Sequence, residues 1–183
     1  MKYRMKKFIY EKQKSLTDEV CDFVINIYDK TLNIKNNELC VNLNNNKNGE
    51  HIKNILISNI FESIKSYYLN IDCEDITNNF ENIQNKISIQ HIIIKKYDKD
   101  DKPKNYCNSV RTDYNNMKYS ILKFIYYLNN VEEGGETIFA KQYKIIPEKG
   151  KMIMFPSEWF FPYEETQRKT DKYIITGYVF LDI

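Results

Sequence analysis

The chain has 183 residues and a formal net charge of +2, with 42% hydrophobic and 28% charged residues, the size and balance of one globular domain with a core. That charge is too small to argue for nucleic acid on electrostatics alone. A mean hydropathy of −0.60 with no long apolar run argues against a membrane-spanning helix. The basic start, Met1 to Tyr10, runs straight into Glu11-Lys-Gln-Lys14 without the apolar stretch of a secretory signal, so a protein retained in the cytoplasm is expected.

The pattern predicts a helical front over residues 1–86. Ser15 to Thr31 reads as a helix with Ser15 as cap, Asp18 three residues on, and Leu16, Val20, Phe23, Val24, Ile27 and Tyr28 on one face. The Asn-rich stretch 33–49 reads as a loop. Ile52 to Tyr68 is a second amphipathic helix with Ile52, Leu56, Ile60, Ile64 and Tyr67 or Tyr68 turned inward, and Ile76 to Asn85 a short third piece. From Ile87 the texture becomes β-branched. Strands are predicted at Ile87–Tyr97, Tyr119–Leu128, Glu136–Phe139, Lys144–Ile146, Lys151–Phe155 and Tyr173–Leu181, with turns at Gly134-Gly135, Pro147-Glu-Lys-Gly150 and Pro156. A helical front and short strands behind it make one α+β domain over 1–183, a sandwich or open barrel backed by helices.

Chemistry-bearing residues are few. Cys21, Cys40, Cys73 and Cys107 form no short ligand spacing, so reduced thiols are expected. The only histidines are His51 and His91, one on a predicted helix and one on a predicted strand, and neither is followed two positions on by an acid. Arginine occurs only at 4, 111 and 168 and alanine only at 140, while Asn, Lys, Ile and Tyr abound; that bias reflects AT-rich codons, as in poxviruses, other large viruses and some protists and bacteria.

The segment Phe124-Ile-Tyr-Tyr-Leu-Asn-Asn-Val-Glu-Glu-Gly-Gly-Glu-Thr137, then Ile146-Pro-Glu-Lys-Gly-Lys-Met-Ile-Met-Phe-Pro156 and Asp171-Lys-Tyr-Ile-Ile-Thr-Gly-Tyr178, resembles the core of prolyl-hydroxylase-type 2-oxoglutarate/Fe(II) dioxygenases; with Tyr-Leu-Asn and Gly-Gly-Glu-Thr of the first segment counted apart, four pieces stand in the family's order. The resemblance implies a double-stranded β-helix, jelly-roll-like, over 87–183. It also implies an iron site of two histidines and a carboxylate, with open positions for 2-oxoglutarate and oxygen, and a basic residue nine or ten positions after the last histidine to hold the cofactor's distal carboxylate.

Carried onto this chain, the last histidine position falls on Tyr163, in Pro162-Tyr163-Glu164, and the basic residue on Lys172. The His-x-Asp position falls on Cys107-Asn108-Ser109 in one register and on Arg111-Thr112-Asp113 in the other. Neither supplies a histidine, and thiol, hydroxyl and phenol do not make the field ferrous iron needs. The expectation is a pseudoenzyme without cofactors; Lys172 would serve 2-oxoglutarate only if it is still bound, and a lysine exposed at a strand start is an equal reading. Lys96-Tyr97-Asp98, with Cys107 nine residues on, resembles poxviral proteins that mimic the host's oxygen-sensing prolyl hydroxylase and modulate immunity. That likeness implies a host protein partner (the hydroxylase itself or the Ku DNA sensor), host cytoplasm or nucleus as compartment, and leaves a homodimer open. The aromatic cluster Trp159-Phe160-Phe161-Pro162-Tyr163 is read as a partner surface at Trp159, Phe160 and Tyr163 or as a plug of the vacated pocket. The competing expectation is an active Fe(II)/2-oxoglutarate hydroxylase with an atypical metal set such as Asp113 and Tyr163.

Overall fold

A computed structural model describes residues 5–31, 38–40, 47–72, 80–100, 102–106, 112–113, 118–157 and 161–182. Its helices are α1 (Asp18–Lys30), α2 (Lys47–Asn70) and α3 (Phe80–Gln84). Its strands are β1 (Tyr10–Lys12), β2 (Glu38–Cys40), β3 (Ile87–Tyr97), β4 (Lys104–Tyr106), β5 (Thr112–Asp113), β6 (Lys118–Tyr127), β7 (Thr137–Phe139), β8 (Tyr143–Ile145), β9 (Met152–Pro156), β10 (Tyr163–Glu165) and β11 (Lys172–Asp182). They form two antiparallel sheets, one in the order β1-β9-β6-β11-β3-β2 with β5 also on β6, the other in the order β4-β10-β7-β8.

Alternation along the long strands builds two cores from one sheet. From β6 and β9, Leu122, Phe124, Tyr126, Met152 and Met154 pack against the helices. Their neighbours Ile125, Tyr127, Ile153 and Phe155 point the other way and meet Phe139, Ile145, Phe161 and Tyr163 of the small-sheet side. The interior between the sheets is therefore aromatic: Phe139 stands edge-on to Phe155 at 4.7 Å, and Phe155 edge-on to Tyr163 at 5.4 Å. On the outer side α2 lays Ile52, Leu56, Ile60 and Ile64 on the large sheet, all 4% exposed or less, which is the four-residue spacing of one helical face. Of the two tyrosines left open, Tyr67 is the buried one.

Several expectations change. Helix α1 is capped by Thr17, whose hydroxyl accepts from the Val20 amide, with Asp18 and Glu19 in the first turn. Ser15 is instead a tertiary anchor: its amide donates to the Gly150 carbonyl at 2.7 Å and its hydroxyl to Asn59 of α2 at 2.7 Å. The helix buries Cys21, Val24 and Tyr28 while Phe23 is exposed. The stretch 33–49 is not all loop, since β2 and the first turn of α2 fall inside it, and β2 pairs with β3 at Ile93–Lys95. Strand β3 carries a bulge at His91, which takes φ +54° where the register against β11 shifts between Thr176 and Tyr178. No helix among the described residues is long and apolar enough to cross a membrane.

Candidate functional site

The site lies between the sheets, and the Gly134-Gly135 turn shapes it. Both glycines have positive φ, 75° and 71°. A Cβ on Gly134 would stand 1.9 Å from the Gln167 carbonyl oxygen, so only glycine lets the turn press on the segment after β10. The amide of Gly135 donates to the Gln167 carbonyl, that of Thr166 to Glu136 and that of Lys169 to Glu133, all at 3.0–3.1 Å. This stitching sets the start of β7 beside the segment that joins β10 to β11.

Inside the stitch sits a buried ionic cluster. Lys172, expected either as a cofactor ligand or as an exposed residue, is fully buried, and so is Glu165 at 1% exposure. The two form an ion pair. The Lys172 ammonium also donates to the Gly135 carbonyl at 2.8 Å and lies 5.0 Å above the Tyr127 ring. The second oxygen of Glu165 accepts from the Thr137 hydroxyl at 2.8 Å, and Thr137 accepts from the Tyr127 hydroxyl at 2.8 Å. Burial lowers the pKa of Lys172, and the Glu165 charge opposes that shift. Arg168, 1% exposed, stacks on Tyr97 at 4.9 Å and donates through one nitrogen to the Thr166 carbonyl at 3.3 Å. Its Nε and Nη1 are buried and have no partner. Two buried cations, Lys172 and Arg168, thus share this part of the interior with one buried carboxylate, Glu165, and the half-buried Glu136 also acts on Lys172.

Tyr163, the residue at the last histidine position, is 4% exposed and faces inward. Its hydroxyl accepts from the Lys123 ammonium at 2.6 Å, and that ammonium lies over the rings of Tyr163, Tyr178 and Tyr106 at 4.8, 5.3 and 5.8 Å. Tyr106 stacks on Tyr163 at 5.0 Å. Burial, then the neighbouring Glu165 charge, hold the Tyr163 phenol far above its usual titration range. It stays protonated, with its oxygen engaged by a cation.

Neither arrangement suits the group that the family resemblance implies. A protonated phenol bonded to an ammonium is no ligand for ferrous iron. Among the described residues no three His, Cys, Asp or Glu side chains gather around a common point. His51 and His91 are exposed, on α2 and at the β3 bulge. Asp113 lies in β5, in register with Lys118; Cys107, Ser109 and Arg111 lie outside the described residues, as do Trp159 and Phe160. Tyr163, expected to add to a partner surface, is interior, and the neighbour that plugs the barrel beside it is Phe161, 3% exposed. Glu165, Lys123, Arg168 and Thr137 were not anticipated. An inward acid two residues after the last ligand position was the available signal, but it required knowing the orientation of β10.

Residues 97–180 match the 2OG-Fe(II) oxygenase superfamily. The fold is that of prolyl hydroxylases. A viral collagen prolyl hydroxylase from Paramecium bursaria Chlorella virus-1 superimposes with a TM-score of 0.66 and 17% identity, over 96% of this chain and 90% of that one. A Trichoplax adhaerens prolyl hydroxylase, solved with a peptide of the hypoxia-inducible factor oxygen degradation domain, gives 0.68 and 16%, over 96% and 84%. A Pseudomonas putida prolyl-4-hydroxylase gives 0.61 and 12%, over 96% and 93%. No curated protein matches the chain.

Proposed function

We propose that this chain is a catalytically inactive, prolyl-hydroxylase-like viral protein whose double-stranded β-helix is kept as a binding scaffold and acts on host proteins. The observation that carries the reading is the filled interior. Lys123 holds Tyr163 at the last ligand position, Glu165 neutralises Lys172, and Phe161 and Phe139 close the space between the sheets. A barrel that keeps its turns and strands while filling its own pocket retains its surface as its working part. Neither Fe(II) nor 2-oxoglutarate has a role in this reading.

The surface proposed for the partner is the mouth formed by the Asp98–Lys104 and Val110–Met117 segments and by Trp159 and Phe160, since binding residues concentrate on loops carried by a rigid frame. Among the described residues a shallow groove of about 420 Å³ lies on the outer face of the small sheet, lined by Asn105, Ile138, Ala140, Lys141, Pro162 and Glu164. By family analogy the candidate partners are the Ku heterodimer and the host's oxygen-sensing prolyl hydroxylase. The test is direct binding of the purified chain to each purified candidate. Saturable binding to one of them, weakened about thirtyfold by Trp159→Ala as for a hot-spot aromatic, is expected. Absence of binding to either, with no host protein recovered from infected cells, overturns the partner reading.

A further inference from the structure

We infer that Glu165 is a built-in ligand: its carboxylate fills a carboxylate-binding cage made by Lys172, Thr137 and Gly135, and keeps free carboxylates, 2-oxoglutarate included, out of the barrel. The cage has the chemistry of a recognition site. One ammonium and one hydroxyl converge on the two oxygens of a single carboxylate, the Gly135 carbonyl takes a further ammonium proton, and Tyr127 fixes the hydroxyl that does the donating. Every one of these side chains is shut away from water. A lysine is buried in such a place only with a counter-anion, and here the anion comes from the chain's own β10, seven residues earlier. Glu164 beside it points outward and Glu165 inward, as the alternation of the strand requires.

The charge count supports the same conclusion from a second direction. Glu165 pairs with Lys172, and Arg168, whose charge also acts on Lys172, has two buried guanidinium nitrogens that lack acceptors. Removing the Glu165 carboxylate takes the paired anion from Lys172 and leaves it beside a second interior cation, Arg168, with only the half-buried Glu136 to offset them, so the emptied cage would draw in a small anion of matching shape. Glu165→Ala deletes a CH2–COO− group, which is atom for atom an acetate.

The inference rests on the reading of the barrel as self-filled, and its test is separable from the partner claim. Wild type, Glu165→Ala and the Glu165→Ala/Lys172→Met double variant are compared by thermal denaturation and calorimetric titration with sodium acetate, with sodium chloride at equal ionic strength as control. Wild type is also titrated with 2-oxoglutarate in the absence of metal. Expected are no binding of either carboxylate to wild type, an acetate-specific rise in melting temperature for Glu165→Ala, and loss of that rise, by about tenfold or more in affinity, in the double variant. Wild type binding 2-oxoglutarate overturns the inference, as does a folded Glu165→Ala that responds to acetate no more than to chloride. Should Glu165→Ala not fold, the double variant, which carries one buried cation fewer, is the folded control; failure of acetate to restore Glu165→Ala while that control folds also overturns it. Host-partner binding has no bearing on any of these outcomes.

Discussion

Glu165→Gln changes the charge of the cluster and little of its shape, and its cost can be worked from the structure. The side chain keeps its volume, and an amide oxygen can still accept from Thr137, now at 2.8 Å from the carboxylate. What is lost is the counter-charge of Lys172, which is 0% exposed and ion-paired to Glu165. Removing one partner of a buried pair costs about 3–5 kcal/mol, because the remaining charge is stranded. An unfolding entropy of about 2.1 cal/mol/K per residue over 183 residues is about 0.38 kcal/mol/K, so the melting temperature should fall by about 8–13 °C. Lys172→Met should destabilise as well, since the stranded Glu165 carboxylate then keeps only its Thr137 hydrogen bond. The double variant should return to within about 1 kcal/mol of wild type, giving a large coupling energy in the cycle. The sign of the pH dependence follows from Lys172. Its pKa is lowered in the fold by burial, and Glu165 is the main group opposing that lowering, so the Glu165→Gln penalty is present at neutral pH and relieved as pH rises toward the unfolded lysine value of about 10.4. Additive single effects, or a Glu165→Gln variant within about 1 kcal/mol of wild type at pH 7 by urea denaturation, would refute the reasoning.

Three further outcomes are expected. Gly134→Ala forces a side chain at φ +75° into the Gln167 carbonyl and should cost well over about 2 kcal/mol, read as a lowered urea midpoint. Phe139→Ala opens the space among Phe155, Phe161 and Tyr163 and should cost about 3–5 kcal/mol on the same scale, with the near-ultraviolet dichroism of the aromatic interior reduced. Burial raises the pKa of Tyr97, Tyr127 and Tyr163 far above 10. Their stabilising contribution is therefore complete below the unfolded tyrosine value of about 10 and is lost as pH rises beyond it. The phenolate absorbance of these three should accordingly appear in step with unfolding above about pH 10, and titration of all 15 tyrosines near pH 10 in the still-folded chain would contradict the packing.

What could be read in advance divides by the length of the repeat that carries the signal. The strands β3 and β6 run 11 and 10 residues and α2 keeps four-residue spacing across Ile52 to Ile64, so period alone located them. Gly134-Gly135 was legible as a turn because few other residues tolerate its backbone. The three-residue strands β1, β2 and β10 offer no period, and their sequences, Tyr-Glu-Lys, Glu-Leu-Cys and Tyr-Glu-Glu, read as surface. For the same reason the inward turn of Glu165 was invisible, and Lys172, whose burial depends on that carboxylate, looked as much like a solvated lysine as a ligand. Thr17 and Ser15 are both good caps, and only the tertiary bonds of Ser15 to Gly150 and Asn59 decide between them. The pairing of Lys123 with Tyr163 spans 40 residues and leaves no local trace.

The central claim is that the barrel no longer performs the oxidation its fold relatives are named for. The measurement that meets it most directly is succinate formed by the purified chain given Fe(II), ascorbate, oxygen and 2-oxoglutarate, with the Lys172→Met variant as background. The account predicts equal, background-level succinate from both proteins. Succinate in excess of the protein concentration from wild type, lost in Lys172→Met, would contradict it and restore the reading of an active hydroxylase with an unusual metal set.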